Sequence, residues 1–365
     1  MENLQQTHLK VKTSLFNVSS FKVPELLQVS YLPSLDGFRA FAILIVVLQH
    51  ILLFDFNINV IGSAGVTFFF VISGFLITTL LLKEKIKTGT ISMSNFYIRR
   101  ALRILPVAYL YLLVVFCLNH YLGLGVTTLG FLAAFFYFKN FTFLNLGDWY
   151  TGHYWSLSVE EQFYLLFPAI LRASPKKYLK LLLALIFTVP CLSFLYIYNK
   201  DLFVIELVEE FCPIFVGSVF AVLLFSGTIE IRISKIYKSS WFNILLLIAF
   251  LFFHNVHAAI KIYYLKFFLK DIVSSVIACL LIAINISNND SWFFKMLNNK
   301  LVKKVGVLSY SIYIWQQLFT YNQPWQHSFK YGGSIWLNLI LLFVVAYISY
   351  TFFEKRFLKL KNRFK

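Results

Sequence analysis

The sequence predicts an all-α polytopic membrane protein with about ten transmembrane helices and both termini in the cytoplasm. Three observations carry this. Of 365 residues, 59% are hydrophobic and only 13% charged, where soluble domains hold about a quarter charged residues, and the mean hydropathy is +0.73. Apolar runs of about 18 residues recur along most of the chain, each enough to cross roughly 30 Å of hydrocarbon as a helix. The Lys and Arg residues behind the net charge of +17 fall in the short gaps between these runs. That distribution marks topology rather than a basic stripe for nucleic acid.

The runs cover residues 37–56, 61–82, 104–121, 127–144, 155–171, 179–198, 207–225, 242–257, 268–286, 305–321 and 334–353. Short basic loops stay inside, which assigns to the cytoplasm the N-terminal segment 1–31 (Lys10, Lys12, Lys22), the loops Lys83–Arg103, Arg172–Lys180, Arg232–Lys238 and Lys295–Lys304, and the basic tail 356–365. Three full crossings between Lys83–Arg103 and Arg172–Lys180 would violate this. One of the runs 104–121 and 127–144 is therefore expected not to span, and the second is interrupted by Lys139 and Asn140. The segment 147–158 then approaches from outside.

Residues 1–35 lack the apolar stretch of a cleaved signal, so the first helix is expected to direct insertion. Cys117, Cys191, Cys212 and Cys279 are scattered through apolar runs, which indicates neither a disulfide framework nor a zinc site.

Chemistry-bearing residues gather in a few segments. The first run reads LDGFRAFAILIVVLQHILLF, with Arg39 near the cytoplasmic end and His50 about 16 Å further along the helix. An ionisable group at that depth faces a bundle interior or wet cavity and is a functional candidate. The ordinary readings are a helix-to-helix hydrogen bond for His50 and a snorkelling anchor for Arg39. FYIRRALRILP carries Arg99, Arg100 and Arg103, of which the last two, three apart, share a helix face. Guanidinium groups grip phosphate in a forked manner; otherwise the trio is a positive-inside cluster. GDWYTGHYWSLSVEEQFYLLFP places Glu160 and Glu161 in the first turns of a helix, where carboxylates also serve as caps beside Ser156 or Ser158. Either could orient a histidine base. His153 and Tyr164 of the same segment are further candidates. Ser73, beside Gly74 within a run, reads first as close helix packing, and His254 with His257 lacks a third ligand, so no metal is assigned.

Taken together, LDGFRAFAILIVVLQH, GVTFFFVISGFLIT, FYIRRALRILP, WSLSVEEQFYLLFP and VLSYSIYIWQQLF with FFEKRFLKL resemble the membrane acyltransferase-3 family, integral-membrane O-acyltransferases of surface and secreted glycans. The likeness runs from about residue 32 to the end, giving a transmembrane domain over 32–355. The resemblance implies an acyl-CoA donor, usually acetyl-CoA, entering from the cytoplasm, and a hydroxyl acceptor on a glycan or lipid-linked sugar outside. It matches the family's first-helix arginine and histidine to Arg39 and His50, and its paired arginines to Arg100 and Arg103. In the last block many relatives carry a histidine after the tryptophan; here Trp315 is followed by Gln316, which excludes a second histidine at that position.

The expected enzyme is an O-acetyltransferase of the cytoplasmic (inner) membrane, with His50, Glu160 and Glu161 catalytic, Arg39, Arg100 and Arg103 holding the donor, and no tightly bound cofactor. Its partners are acyl-CoA, the sugar acceptor and membrane lipids. The chain ends soon after the last run, so membrane helices and short loops are expected to handle the substrates. A glycolipid transporter or flippase, with Arg39 and His50 lining a path, is the alternative from another class.

Overall fold

Short polar residues precede several of the apolar stretches and start helices there. Thr127, Asp148, Ser239, Ser291 and Ser334 each accept, through the side chain, the backbone N–H three residues on, supplying one of the bonds that a helix N-terminus lacks. The computed structural model describes residues 21–29, 31–56, 63–141, 144, 147–196, 203–229, 239–256, 263–286 and 290–364. Lys10, Lys12, the loop Arg232–Lys238 and His257 lie outside the described residues, as does the side chain of Cys191.

Among the described residues the protein is helical, without a β-strand. The helices are α1 (Pro33–Phe56), α2 (Ala64–Thr88), α3 (Met93–Leu122), α4 (Thr128–Phe135), α5 (Trp149–Gly152), α6 (Tyr154–Ala173), α7 (Pro175–Tyr196), α8 (Phe203–Phe225) and α9 (Ser240–Asn255), then α10 (Tyr263–Phe267), α11 (Ser274–Ile286), α12 (Trp292–Leu297), α13 (Lys300–Trp315), α14 (Gln317–Thr320), α15 (Ile335–Ile348) and α16 (Lys355–Lys361). π-Helical turns, Phe268–Val273 and Ser349–Glu354, join α10 to α11 and α15 to α16. Among the described residues, five stretches are long and apolar enough to cross a membrane: Pro33–Leu52, Ala64–Thr88, Met93–Leu122, Leu265–Ile286 and Ile335–Phe364. This is a multi-pass membrane architecture.

Two segments differ from the sequence expectation, and a third decides a choice that the expectation left open. The run 127–144 yields α4 of only 8 residues, about 12 Å long; it is too short to span, whereas run 104–121 lies wholly within α3. The expected loop 83–103 is mostly helix, because α2 runs to Thr88 and α3 starts at Met93; Lys, Arg and Glu are good helix formers and extend a helix past its apolar stretch. The tail after residue 355 is likewise helical, continuing α15 through the π turn into α16 and a 3₁₀ turn at Asn362–Phe364.

The chain forms two compact units: one of residues 1–40, 67–91 and 167–306, the other of 41–66, 92–166 and 307–365. In the first, α2 meets α8 through reciprocal glycines. A Cβ on Gly74 would collide with the Ile214 carbonyl, and one on Gly217 with the Val71 carbonyl; small residues allow such backbone contact between membrane helices. Polar pairs add to it: Asn285 Nδ2 donates to Asn243 Oδ1 at 2.6 Å, and the Thr78 and Tyr178 hydroxyls share a hydrogen at 3.2 Å.

In the second unit, tyrosine hydroxyls tie helices to the long α3. Tyr154 donates to the Ala108 carbonyl at 2.6 Å, Tyr310 to that of Ile104 at 2.9 Å, and Tyr111 to that of Tyr150 at 2.7 Å. Each such bond between membrane helices is worth about 0.6 kcal/mol. Lys139 and Asn140 fold inward: Lys139 forms an ion pair with Asp148, and Asn140 Nδ2 donates to Gln162 Oε1 at 3.2 Å. Buried Glu354 of the π turn accepts from Ser311 at 2.5 Å and Ser349 at 3.2 Å.

Candidate active site

Two places in the second unit hold His50. The break between α13 and α14 falls at Gln316, whose side-chain Oε1 lies 3.4 Å from His50 Nδ1. α5 places the Trp149 ring edge-on to the imidazole, centroids 5.3 Å apart at 83°. Trp149 is itself clamped: its Nε1 donates to the Gln317 carbonyl, and Gln317 Nε2 donates back to the Trp149 carbonyl, both at 2.7 Å. The cap of α5, Asp148, receives Thr151 N–H at 2.7 Å and the Lys139 ammonium, which fixes the helix that carries Trp149.

His153 is the C-terminal cap of α5 and is buried. Its ring stands perpendicular to Tyr111 with centroids 5.2 Å apart. Its carbonyl accepts from Tyr313 at 3.1 Å and from Ser156 at 3.2 Å. The Ile314 backbone approaches the imidazole, yet neither ring nitrogen meets hydrogen-bond geometry among the described residues. His153 thus belongs to the same compact unit as His50, from a different segment than the one whose Gln316 departs from the family pattern.

His50 Nδ1 has Gln316 Oε1 as a hydrogen-bond partner, and Glu160 and Glu161 lie on α6. The first turn of α6 holds no acidic residue, because the helix begins at Tyr154 and both glutamates come in its second turn. Nor do the serines cap it: Ser158 Oγ donates to the Tyr154 carbonyl and accepts from Lys139 N–H. Tyr164, Glu160 and Glu161 bear electrostatically on Arg100. The Arg100 guanidinium carbon lies 3.9 Å from the centroid of the Tyr164 ring. Arg100 Nε and Glu161 Oε1 are both buried without a hydrogen-bond partner among the described residues.

Arg103 is one turn further along α3. Arg99 donates to the Phe364 carbonyl at 2.7 Å, a link to the C-terminal helical end where a cation is favoured. Arg39, in the first unit, donates to Asp36 Oδ1 at 3.0 Å, and Tyr31 donates to the other carboxylate oxygen at 2.5 Å. Ser73 is half-buried one residue before the glycine contact described above. No group of three or more metal-type ligands is found among the described residues.

Gln316, Trp149 and Asp36 were not singled out as site residues from sequence. Gln316 was visible only as a departure from a pattern, and nothing local to Trp149 distinguishes it from the other aromatic residues of its segment.

A family profile described as an acyltransferase domain matches residues 32–354. Peptidoglycan O-acetyltransferase OatA of Listeria monocytogenes is 27% identical over 369 residues, covering 89% of this chain and 55% of that protein. O-acetyltransferase OatA of Staphylococcus aureus is 38% identical over 154 residues, covering 39% of this chain and 25% of that protein. A further Staphylococcus aureus (strain COL) protein is 29% identical over 375 residues, covering 90% of this chain and 58% of its own length. The chain thus spans little more than half the length of the Listeria monocytogenes and Staphylococcus aureus (strain COL) relatives. No solved structure matches it.

Proposed function

We propose that this chain, which belongs to the acyltransferase domain family whose profile matches residues 32–354, transfers an acyl group, acetyl in the first instance, from acyl-CoA to a hydroxyl of a surface glycan or lipid-linked sugar. The reading rests on one observation above the others: His50 is held at Nδ1 by Gln316. With the Nδ1 proton donated to Gln316 Oε1, the lone pair is on Nε2, the arrangement a general base needs. Relatives named as O-acetyltransferases support the acetyl group, and the one named for peptidoglycan supports a cell-wall or surface glycan as acceptor.

The step balances as follows. His50 Nε2 takes the proton of the acceptor hydroxyl while the oxygen forms the new C–O bond at the thioester carbon. The carbonyl π pair moves onto oxygen and returns as the C–S bond breaks. The departing thiolate takes the proton from His50, giving free CoA and an ester. In this reading the donor enters from the cytoplasmic side of the inner membrane and the acceptor from outside. Arg100 and Arg103 bind the phosphates of the donor, with Arg39 a further contributor and the Glu160, Glu161 and Tyr164 group holding Arg100 in place. About ten spans with both termini inside belong to the same proposal, and no tightly bound cofactor is invoked.

Mass spectrometry of surface glycans tests it, comparing cells that lack the gene, carry it, or carry His50→Ala at matched protein level. One added acyl mass is expected with the intact gene alone. Acylation that persists in His50→Ala removes the base role, and glycans unaltered by the intact gene overturn the reading.

A further inference from the structure

We propose that Gln316 is a second functional residue of the transfer step: its side-chain oxygen holds His50, and its amide N–H group donates to the acyl carbonyl oxygen as negative charge develops there. This rests on the acyl-transfer reading above.

Gln316 is 0% exposed. Its backbone is fully engaged: the N–H donates to the Ile312 carbonyl at 3.0 Å, and its carbonyl accepts from Phe319 N–H, Thr320 N–H and the Thr320 hydroxyl. Its side chain is only half used. Oε1 faces His50 at 3.4 Å, while Nε2 is buried with no hydrogen-bond partner among the described residues. An unmet buried donor is costly because it has given up its bonds to water, so one that persists beside the proposed base calls for a partner that arrives later.

The neighbours repeat the pattern. Trp315 Nε1, Gln317 Oε1 and both ring nitrogens of His153 are also buried without partners. Three consecutive residues at the α13–α14 break, together with His153, thus leave polar atoms unmet among the described residues. Membrane helices satisfy their polar groups internally, and a concentration of orphans here fits a polar substrate group more than it fits packing.

The amide also suits the chemistry. A carboxamide orients the imidazole without adding a negative charge beside the carbonyl, where a carboxylate would repel the developing oxyanion. Uncharged N–H donors aimed at such an oxygen carry a large share of acyl-transfer catalysis. Gln316 supplies both functions to the same step, oxygen toward His50 and nitrogen toward the carbonyl.

Two variants separate the functions. Gln316→Met has similar volume and removes both; Gln316→Glu keeps the acceptor for His50 Nδ1 and removes the N–H donor. Membranes containing the full chain at matched levels are supplied with acetyl-CoA, and glycan-bound acetyl is followed by mass spectrometry. The expected result for Gln316→Met is a fall in kcat of about 10²–10³-fold with little change in the acetyl-CoA concentration giving half the maximal rate. Gln316→Glu is expected to stay at least about tenfold down for want of the N–H donor. A Gln316→Met rate within about threefold of wild type, less than the loss of one such donor, overturns the proposal, and wild-type activity in Gln316→Glu overturns the amide's part in it. If Gln316→Met does not accumulate, the isosteric Glu variant decides. His50→Ala run alongside distinguishes the outcomes: an active His50→Ala sinks the acyl-transfer mechanism itself, whereas an inactive His50→Ala with active Gln316 variants sinks this inference alone.

Discussion

The guanidinium carbon of Arg100 lies 3.9 Å from the centroid of the Tyr164 ring, a cation over an aromatic face. The two residues sit on α3 and α6, and the charge also interacts with Glu160 and Glu161. A stacked guanidinium is held flat by the ring, which leaves its N–H edge pointing outward in a set plane.

Arg100→Lys keeps the charge but loses both the fork and the stack. At about 0.5–2 kcal/mol for the stack alone, the variant should need several-fold more acetyl-CoA for half-maximal glycan acetylation in membranes. Tyr164→Phe preserves the ring and should remain near wild type, whereas Tyr164→Leu should resemble Arg100→Lys. Unchanged donor dependence in Arg100→Lys returns this arginine to a topological role.

Lys139 and Asp148 form an ion pair with side chains 3% and 11% exposed, and Asp148 also caps α5. Removing one member of a buried pair costs about 3–5 kcal/mol because the other charge is left unpaired. Asp148→Ala should therefore lower the thermal unfolding midpoint in detergent markedly. Lys139→Met with Asp148→Asn, which keeps a capping side chain and removes both charges, should recover most of the loss.

Gly74 and Gly217 bring α2 and α8 into backbone contact. A methyl at either position meets a carbonyl rather than a flexible side chain, so overpacking of about 1–3 kcal/mol is expected. Gly74→Ala and Gly217→Ala should each reduce the yield of folded protein from membranes, read by fluorescence-detected size exclusion. Wild-type yield in both would show that α2 and α8 separate without cost.

α4 is too short to span, and the topology proposed above takes α3 and α6 as the two crossings between the basic segments near Lys83 and Lys177. A thiol introduced at Lys177 should then be silent to an impermeant reagent applied from outside and react only after the membrane is opened. Labelling from outside would refute the inside placement of this loop.

Amino-acid composition alone determined the environment and much of the helical framework. An apolar run long enough to cross a bilayer must form a helix there to satisfy its own backbone, whatever it packs against. The residues His50, Arg39, Arg100, Arg103, Glu160, Glu161 and His153 stand out in the same way, because ionisable groups within or beside apolar runs are costly and therefore conspicuous. Partnership is another matter. Gln316 meets His50 across 266 positions of sequence, and Trp149 is clamped by Gln317 across 168. Neither spacing carries a periodic signal, since such contacts depend on where helices break and how they pack. The same holds for the glutamates, whose local pattern beside serines reads as a helix start until the helix is seen to begin at Tyr154. The polar residues that matter were legible one at a time from their cost in an apolar setting; which of them touch was decided by the tertiary structure, because a hydrogen bond is made by distance and angle rather than by composition.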